Sequence, residues 1–203
     1  MDFQEVLARR RMVRNYRDEP IDRRVVERVA AAALRAPSAG FSQGQAVIVV
    51  TDPDTRRRIA DAADEASYVE RGFDPWISRA PAHIVLCISE HAYHRRYQMP
   101  DKLDEDGNEI EWPIPYWWVD IGASLMAVLL AAVDEGLGAG FLGTHSVEDL
   151  NRILAIPDEY APIGIVTIGH PAADRRSSSL DLGWKDVAEV IHWEEWSHPR
   201  HEL

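Results

Sequence analysis

The chain has 203 residues, of which 46% are hydrophobic, and a formal net charge of −12 from 34 acidic and 22 basic side chains. This length provides for one sizeable hydrophobic core, and the acidic balance argues against nucleic-acid binding, because phosphate neutralisation needs a broad basic face. No apolar run reaches the roughly 18 residues of a membrane span, and no basic segment leads into an apolar one at the start. We therefore expect a cytoplasmic protein without membrane contact.

Helices and strands alternate along the chain. Apolar spacing and capping residues predict four helices. Two cover residues 2–11 and 117–135, a third is capped by Asp22 and ends before Pro37, and a fourth begins at Asp52. The apolar run 46–50 predicts a strand buried on both faces, and further strands are predicted at 83–89, 137–143 and 163–168. Length and alternation favour a single α/β domain. Cys87, the only cysteine, lies in the second strand and is interpreted as a buried thiol rather than a nucleophile.

The predicted helix over residues 117–135 has almost no polar face, since apolar side chains such as Ile121, Leu125 and Val128 surround its axis. A helix that is apolar all round is buried all round. In a domain of this size, the simplest cover for its remaining face is a second copy of the chain. We therefore expect a homodimer.

Two stretches do not fit this core, although we take them as parts of one domain over residues 1–203. Residues 90–116 are rich in charged, His and Tyr side chains, carry the turn-forming Asp106-Gly107-Asn108 and end in an aromatic cluster. These features are typical of a lid or substrate loop. Residues 172–203 carry Val, Ile and Trp side chains, so we expect this tail to embrace the dimer partner.

Arginines are concentrated near the start of the chain, at residues 9–11 and at Arg14. In a chain of net charge −12, so many guanidinium groups in six residues indicate a site for an anion. The planar fork of arginine suits phosphate in particular. The structural alternative is a solvated helix end that pairs with Asp18 and Glu19.

Four motifs occur in a fixed order: Arg10-Arg11-Met12-Val13-Arg14, Ala36-Pro37-Ser38-Ala39-Gly40-Phe41-Ser42-Gln43, Gly136-Leu137-Gly138-Ala139-Gly140-Phe141-Leu142-Gly143 and Ile168-Gly169-His170-Pro171. Their order and spacing, with the apolar helix between the second and the third, resemble the FMN-dependent nitroreductase superfamily over nearly the whole chain. The resemblance implies an α+β fold in which helices flank a central, mostly antiparallel sheet. It also implies an intertwined homodimer with an FMN at each of two interface sites.

The resemblance further implies roles for individual residues. The ribityl phosphate would be held by Arg10, Arg11, Arg14, Arg175 and Arg176. The isoalloxazine would lie against a segment of the other subunit, namely Pro37, Ser38, Ala39 and Gly40 with Gln43 nearby, and beside Gly140, Phe141, Leu142 and Gly143. Glycine lets the backbone approach a flat ring closely. We place Arg14 near flavin N1, where reduced flavin carries negative charge.

Aromatic side chains are the candidates for contact with the substrate: Phe41, Tyr93, Tyr97, Trp112, Tyr116 and Trp117. For the cluster at residues 112–118, core packing is the alternative. Phe41 replaces a polar residue found in many relatives, as Met12 replaces a serine. We expect no metal site, because His91 and His94 lack a clear third ligand, and no catalytic side chain, because the flavin performs the chemistry.

The implied activity is that of an FMN-dependent oxidoreductase. Hydride would pass from NAD(P)H through flavin N5 to an electron-poor small molecule, such as a nitroaromatic or a quinone, by a ping-pong mechanism. Three alternatives stay open. They are a flavin-binding protein for storage or sensing without turnover, a relative that binds a deazaflavin, and a deiodinase-like, flavin-cleaving or peptide-oxidising relative with a specialised substrate.

Overall fold

The computed structural model describes residues 1–175 and 177–196, so that Arg176 lies outside the described residues. The helices are α1 (Phe3–Arg9), α2 (Arg23–Ala31), α3 (Pro53–Ala62), α4 (Glu65–Glu70), α5 (Trp76–Arg79), α6 (Glu90–Tyr97), α7 (Tyr116–Asp134), α8 (Leu150–Leu154) and α9 (Val187–Val190). The strands are β1 (Gln45–Val50), β2 (Ala82–Ile88), β3 (Gly138–Gly143) and β4 (Ala161–Gly169). Short 3₁₀ turns lie at Ala32–Arg35, Ala39–Phe41, Thr144–Ser146 and Ser178–Leu182.

The four strands form one sheet in the order β1-β2-β4-β3, and neighbouring strands are antiparallel throughout. This arrangement confirms the α+β fold that the family resemblance implies. The α/β expectation drawn from length and alternation is wrong. Helices do follow strands along the chain, but strands that are adjacent in space run in opposite directions, which alternation alone does not reveal.

Strand β2 is the centre of the core, and all of its residues are buried. Ile84 and Leu86 face a layer that contains α2 and α7, whereas Val85 and Cys87 face a layer that contains α3 and α5. The buried-thiol interpretation of Cys87 is confirmed. Burial raises the pKa of this thiol to about 11, which leaves little nucleophilic thiolate at neutral pH.

Strand β1 differs from its prediction, because it is not buried on both faces. It lies at the edge of the sheet, pairs with β2 alone, and leaves Val49 41% exposed. An apolar run in sequence does not distinguish an edge strand from a central one. The two differ only in what the rest of the chain places beside them.

Helix α7 packs one side against the sheet through residues such as Ile121, Val128 and Ala132. Its other side exposes Trp118 and Met126 among smaller residues. By length and composition α7 is apolar enough to cross a membrane, with a mean hydropathy of 1.7, which the search for apolar runs in the sequence missed. Core helices of soluble proteins meet the same criteria, and 33% of the apolar 18-residue stretch within α7 is buried inside the chain.

The segment 90–116 is not a loop throughout. Ser89 caps α6 by accepting a hydrogen bond from the Ala92 backbone N–H at 3.3 Å, so residues 90–97 are helical. The rest of the segment contains a turn in which the Asp104 carboxylate accepts the backbone N–H groups of Asp106 and Asn108. At the start of the chain, α1 ends at Arg9 rather than at residue 11, because Arg10 has an extended backbone.

A buried carboxylate positions α5. Glu65 is 6% exposed, and its Oε1 accepts the backbone N–H groups of Ile77 at 2.5 Å and Ser78 at 3.2 Å. These donors belong to the first turn of α5, where the helix itself supplies no acceptor. The bonds fix the helix that begins with the buried residue Trp76.

We expect Glu65→Ala to lower the free energy of unfolding by about 2–3 kcal/mol, because hydrogen bonds to a charged acceptor are lost and buried donors are left unpaired. Glu70→Ala, on the exposed part of the same helix α4, is the matched control and should change stability by less than about 0.5 kcal/mol. Urea denaturation of both variants measures the difference. Equal effects would contradict the role given to Glu65.

Candidate functional site

The arginine motif leaves α1 as an extended segment on the outer side of β3. The Val13 backbone N–H donates to the Ala139 carbonyl at 2.8 Å, and Met12 forms a parallel bridge with Ala139. Tyr16 fixes the other end of the segment, because its buried hydroxyl donates to the Val13 carbonyl at 3.0 Å. Val13 and Tyr16 are buried, so the segment is anchored while the intervening Arg14 stays exposed.

The arginines of this motif differ in their partners. Arg9 pairs with Glu5 at 2.5 Å, and Arg11 pairs with Asp174 at 3.5 Å. Over residues 1–175 and 177–196, the guanidinium groups of Arg10 and Arg14 form no hydrogen bond or ion pair, and Arg14 lies over the Trp76 ring at 5.9 Å. Arg10 and Arg14 are therefore the members of the motif that are available for an anion.

A cavity of about 480 Å³ opens beside Arg14. Its walls come from the arginine motif, from residues 68–76 and from residues 174–181. Arg175 contributes a second guanidinium, which lies 5.1 Å from the centre of the Phe73 ring. Asp174, which precedes Arg175 in the chain and also lines the cavity, accepts the Arg14 backbone N–H at 2.7 Å.

The glycine-rich third motif forms β3. A Cβ atom at Gly140 would lie 2.4 Å from the Val13 carbonyl oxygen, so the close approach of the arginine segment already requires glycine there. Phe141 and Leu142 are half-buried and pack against the core layers on the two faces of the sheet, and Gly143 is half-buried at the end of the strand. Gly140 itself is buried.

The second motif, residues 37–43, forms a tight turn that is hydrogen-bonded to side chains of α6 and α7. The Ala39 backbone N–H donates to Asp120 Oδ2 at 2.8 Å, and Arg96 Nε donates to the Gly40 carbonyl at 2.8 Å. Gly40, Phe41 and the nearby Gln43 have φ values of 58°, 58° and 49°. A left-handed backbone is strained for residues other than glycine, and such strain is concentrated at functional sites.

The first and second motifs lie near opposite ends of α7. Asp120, in the second turn of the helix, holds the 37–43 segment, whereas Arg11 and Val13 line a small cavity together with Val133 in the last turn. At 1.5 Å per residue, these positions on α7 are about 20 Å apart. The structure therefore brings the arginines together with β3 and Arg175, but places the Pro37–Gln43 segment elsewhere on the same chain.

The aromatic candidates for substrate contact divide into two groups. Tyr93 is fully buried and Trp117 is 6% exposed, so both pack into the core of the chain, and their contact with a substrate stays a prediction. The Tyr93 hydroxyl donates to Asp120 at 2.8 Å, and burial together with this bond raises the pKa of Tyr93. The others reach the surface in part: Phe41 is 75% exposed, Tyr116 is 43% exposed, and Tyr97 and Trp112 are half-buried.

Sequence reasoning missed three carboxylates that organise this region. Asp120, Asp174 and Glu109 each accept hydrogen bonds from a predicted site segment or a predicted site residue. A signal existed for Asp120, because it is the one charged residue between positions 116 and 133 of an otherwise apolar helix. No comparable signal marks Asp174 or Glu109, which lie among many other acidic residues.

The chain matches the sequence model of the Nitroreductase family over residues 7–170 and therefore belongs to that family. A protein of Bacillus subtilis named FMN reductase (NAD(P)H) is 29% identical over 169 residues, which make up 82% of this chain and 64% of that protein.

Solved structures have the same fold. A nitroreductase family protein from Streptococcus pneumoniae superposes with a TM-score of 0.73 at 21% identity, covering 95% of this chain and 100% of that one. The NADPH:FMN oxidoreductase of Vibrio harveyi, solved in complex with NAD⁺, superposes with a TM-score of 0.70 at 21% identity, covering 97% of this chain and 78% of that one.

We expect Asp120→Ala to loosen the 37–43 segment, because the Ala39 N–H and the Tyr93 hydroxyl lose their common acceptor. The free energy of unfolding should fall by about 2–3 kcal/mol, and hydrogen exchange at the Ala39 amide should accelerate. Asp120→Asn retains an oxygen acceptor and should retain most of the stability and protection. If Ala39 exchanges at the wild-type rate in Asp120→Ala, Asp120 does not hold the segment.

Proposed function

We propose that the protein is an FMN-dependent oxidoreductase that transfers hydride equivalents from NAD(P)H to an electron-poor small molecule. The observation that carries the proposal is a cavity of about 480 Å³ lined by Arg14 and Arg175, whose guanidinium groups have no carboxylate partner within the described residues, with the unpaired Arg10 on the same arginine segment as Arg14. Guanidinium groups that a protein leaves unpaired beside a cavity suit a phosphate. Membership of the nitroreductase family and the FMN reductase relative support the same cofactor.

The residues present fit FMN by the chemistry of their donors. Arg14 and Arg175, which line the cavity, would hold the ribityl phosphate together with Arg10 from the same segment, with Arg14 extending toward N1. Arg11 contributes less, because Asp174 already neutralises its charge. Bound FMN would supply the redox chemistry, by accepting hydride at N5 and passing electrons to the acceptor. The chain itself would bind the cofactor, stabilise negative charge near N1 and exclude water.

We further propose that the site is completed by a second copy of the chain. One chain holds the arginines and the Pro37–Gln43 segment about 20 Å apart along α7. An antiparallel pairing of two α7 helices through the exposed residues Trp118 and Met126 would place the Pro37–Gln43 segment of one chain beside the arginines of the other. This pairing would also cover an apolar surface that is unfavourable in water.

The C-terminal tail supports the same assembly. Over the described residues 177–196, its large apolar side chains are exposed, with Leu182 at 89%, Trp184 at 90% and Trp196 at 78%. Isolated apolar side chains on a surface are ordinary, but a tail that carries several of them gains stability only by packing against something. We propose that the tail packs against the second copy.

The acceptor pocket would lie beside the Pro37–Gln43 segment. Tyr97 packs against Gly40, and Trp112 packs against Tyr97 with ring centres 4.5 Å apart. Phe41, which follows Gly40, and Tyr116, four residues after Trp112, have exposed side chains. Such a wall suits a flat aromatic acceptor, for example a nitroaromatic or a quinone. NAD(P)H and the acceptor would occupy this cleft in turn, which gives a ping-pong mechanism. We place the reaction in the cytoplasm, where NAD(P)H is available.

Anaerobic reduction tests the proposed activity. The purified protein should bind FMN and show the two visible absorption bands of oxidised flavin, and addition of NADPH or NADH should bleach them. Adding a quinone should restore the bands. Bands that persist with both nucleotides would instead indicate a flavin-binding protein without turnover or a deazaflavin-linked relative. A protein that fails to take up FMN would contradict the proposal entirely.

We expect Arg10→Ala to weaken FMN binding by about 10- to 150-fold, because it removes a charge-assisted bond of roughly 1.5–3 kcal/mol. Arg9→Ala is the matched control, since Arg9 already pairs with Glu5, and its effect should stay within about fivefold. Titration of FMN fluorescence measures both dissociation constants. Equal effects of the two variants would contradict the assignment of the phosphate site.

A further inference from the structure

One carboxylate, Glu109, ties the segment after α6 to the helix itself. Its Oε1 accepts Trp112 Nε1–H at 2.7 Å and lies 2.6 Å from His94 Nδ1, and its Oε2 accepts Gln98 Nε2–H at 3.0 Å. The Glu109 carboxylate is therefore contacted by His94 on α6, by Gln98 just after α6 and by Trp112 beyond the turn at residues 104–108. Neither the sequence motifs nor the proposed cofactor contacts involve Glu109.

Trp112, which Glu109 holds, lies at the centre of the aromatic cluster. Its ring centre is 4.5 Å from that of Tyr97, 5.6 Å from that of Trp117 and 6.4 Å from that of Tyr116. Tyr97 in turn contacts Gly40 in the strained second motif. The orientation of Trp112 is thus linked through one ring to the segment that we propose lies against the flavin.

We propose that Glu109 is a positioning residue for the acceptor pocket: its carboxylate fixes the Trp112 ring in the pocket wall, and the positive charge of protonated His94 beside it strengthens that hold. The proposal rests on the proposed oxidoreductase function for its kinetic consequences. The latch itself, defined as Glu109, His94 and Trp112, is a property of the chain that can be observed without turnover.

The surroundings of His94 favour its protonated form. Glu109 lies 2.6 Å from Nδ1, and Glu90, on α6 itself, lies 3.4 Å from Nε2. Asp158 and Glu159 line the same cavity of about 350 Å³ as His94, together with His91. Two aromatic rings also lie beside His94, those of Trp112 and Trp117, whose centres are 6.2 Å and 5.7 Å from that of His94.

Hydrogen bonding to Glu109, with a smaller contribution from Glu90, raises the pKa of His94 above its ordinary value of 6.5, although partial burial opposes the shift. The pKa of Glu109 is lowered: desolvation opposes the change, but the bonds from Trp112, His94 and Gln98 outweigh it. Because the folded-state pKa of His94 is raised, the stabilisation is fully present below pH 6.5 and is lost as pH rises through the raised value.

Leucine cannot replace Glu109 in this arrangement. A carboxylate accepts from Trp112 Nε1–H, His94 and Gln98, whereas leucine offers no acceptor to any of them while it occupies a similar volume. Glu109→Leu therefore separates the proposed role from simple packing. Glu105→Leu, at an exposed position of the same loop, is the matched control.

Steady-state kinetics with two acceptors tests the positioning role. For Glu109→Leu we expect the KM for menadione, a flat quinone, to rise by about tenfold, while the KM for ferricyanide, which needs no aromatic wall, stays unchanged. Glu105→Leu should match the wild type with both. Equal changes with both acceptors, or none with menadione, would overturn the role of Glu109.

The pH dependence tests the latch without turnover. The indole N–H resonance of Trp112, assigned by its loss in Trp112→Phe, should shift as pH rises above 6.5, and the same step should appear in the KM for menadione. His94→Gln should abolish the step, whereas His91→Gln should keep it. A Trp112 resonance that is independent of pH in the wild type would overturn the latch. If that resonance shifts as expected but NAD(P)H fails to bleach the flavin, the proposed function is wrong and the latch stands.

Discussion

The length of helix α7 is the constraint on which the rest of the site depends. The helix is buried on one side against β2 and β4, so its position relative to the sheet is fixed by the core. Asp120 near its start and Val133 near its end therefore hold their neighbouring segments about 20 Å apart. This separation is the reason we propose that a site built from both segments is completed by a second chain packed against the exposed side of α7.

Charge distribution explains which groups are available for a ligand. With 34 acidic residues against 22 basic ones, several arginines pair with a carboxylate, as Arg9 and Arg11 do. Arg10 and Arg14 belong to the same motif but lack such partners within the described residues. Arg14 shares its cavity with Arg175 and with the carboxylates of Asp74, Asp174 and Asp181, so the two guanidinium groups are the cationic part of a mixed-charge wall. It is this shared cavity, and not the motif alone, that favours an anion site beside Arg14.

Much of the fold was accessible from the sequence, whereas the environment of individual site residues was not. The periodicity and length of the apolar runs identified β2 and α7 and the burial of Cys87, because such runs have few alternatives to the core. The same signals could not show that β1 is an edge strand rather than a central one, nor that Tyr93 is buried with its hydroxyl bonded to Asp120. These properties arise from contacts between distant segments. Glu109 illustrates the limit, since nothing distinguishes it from its exposed neighbours until Trp112 and His94 are placed beside it.

Subunit complementation tests the central claim most directly. One chain carries Arg10→Ala with Arg14→Ala, and the other carries Gly40→Val, in which the new side chain would clash with Tyr97 at a φ of 58°. Each variant alone should bind little FMN. If the site is shared between chains, a purified mixed dimer regains one intact site, formed by the arginines of the second chain and the Pro37–Gln43 segment of the first, and binds FMN at about half the wild-type stoichiometry. A mixed dimer that binds no more FMN than its parents would contradict a shared site.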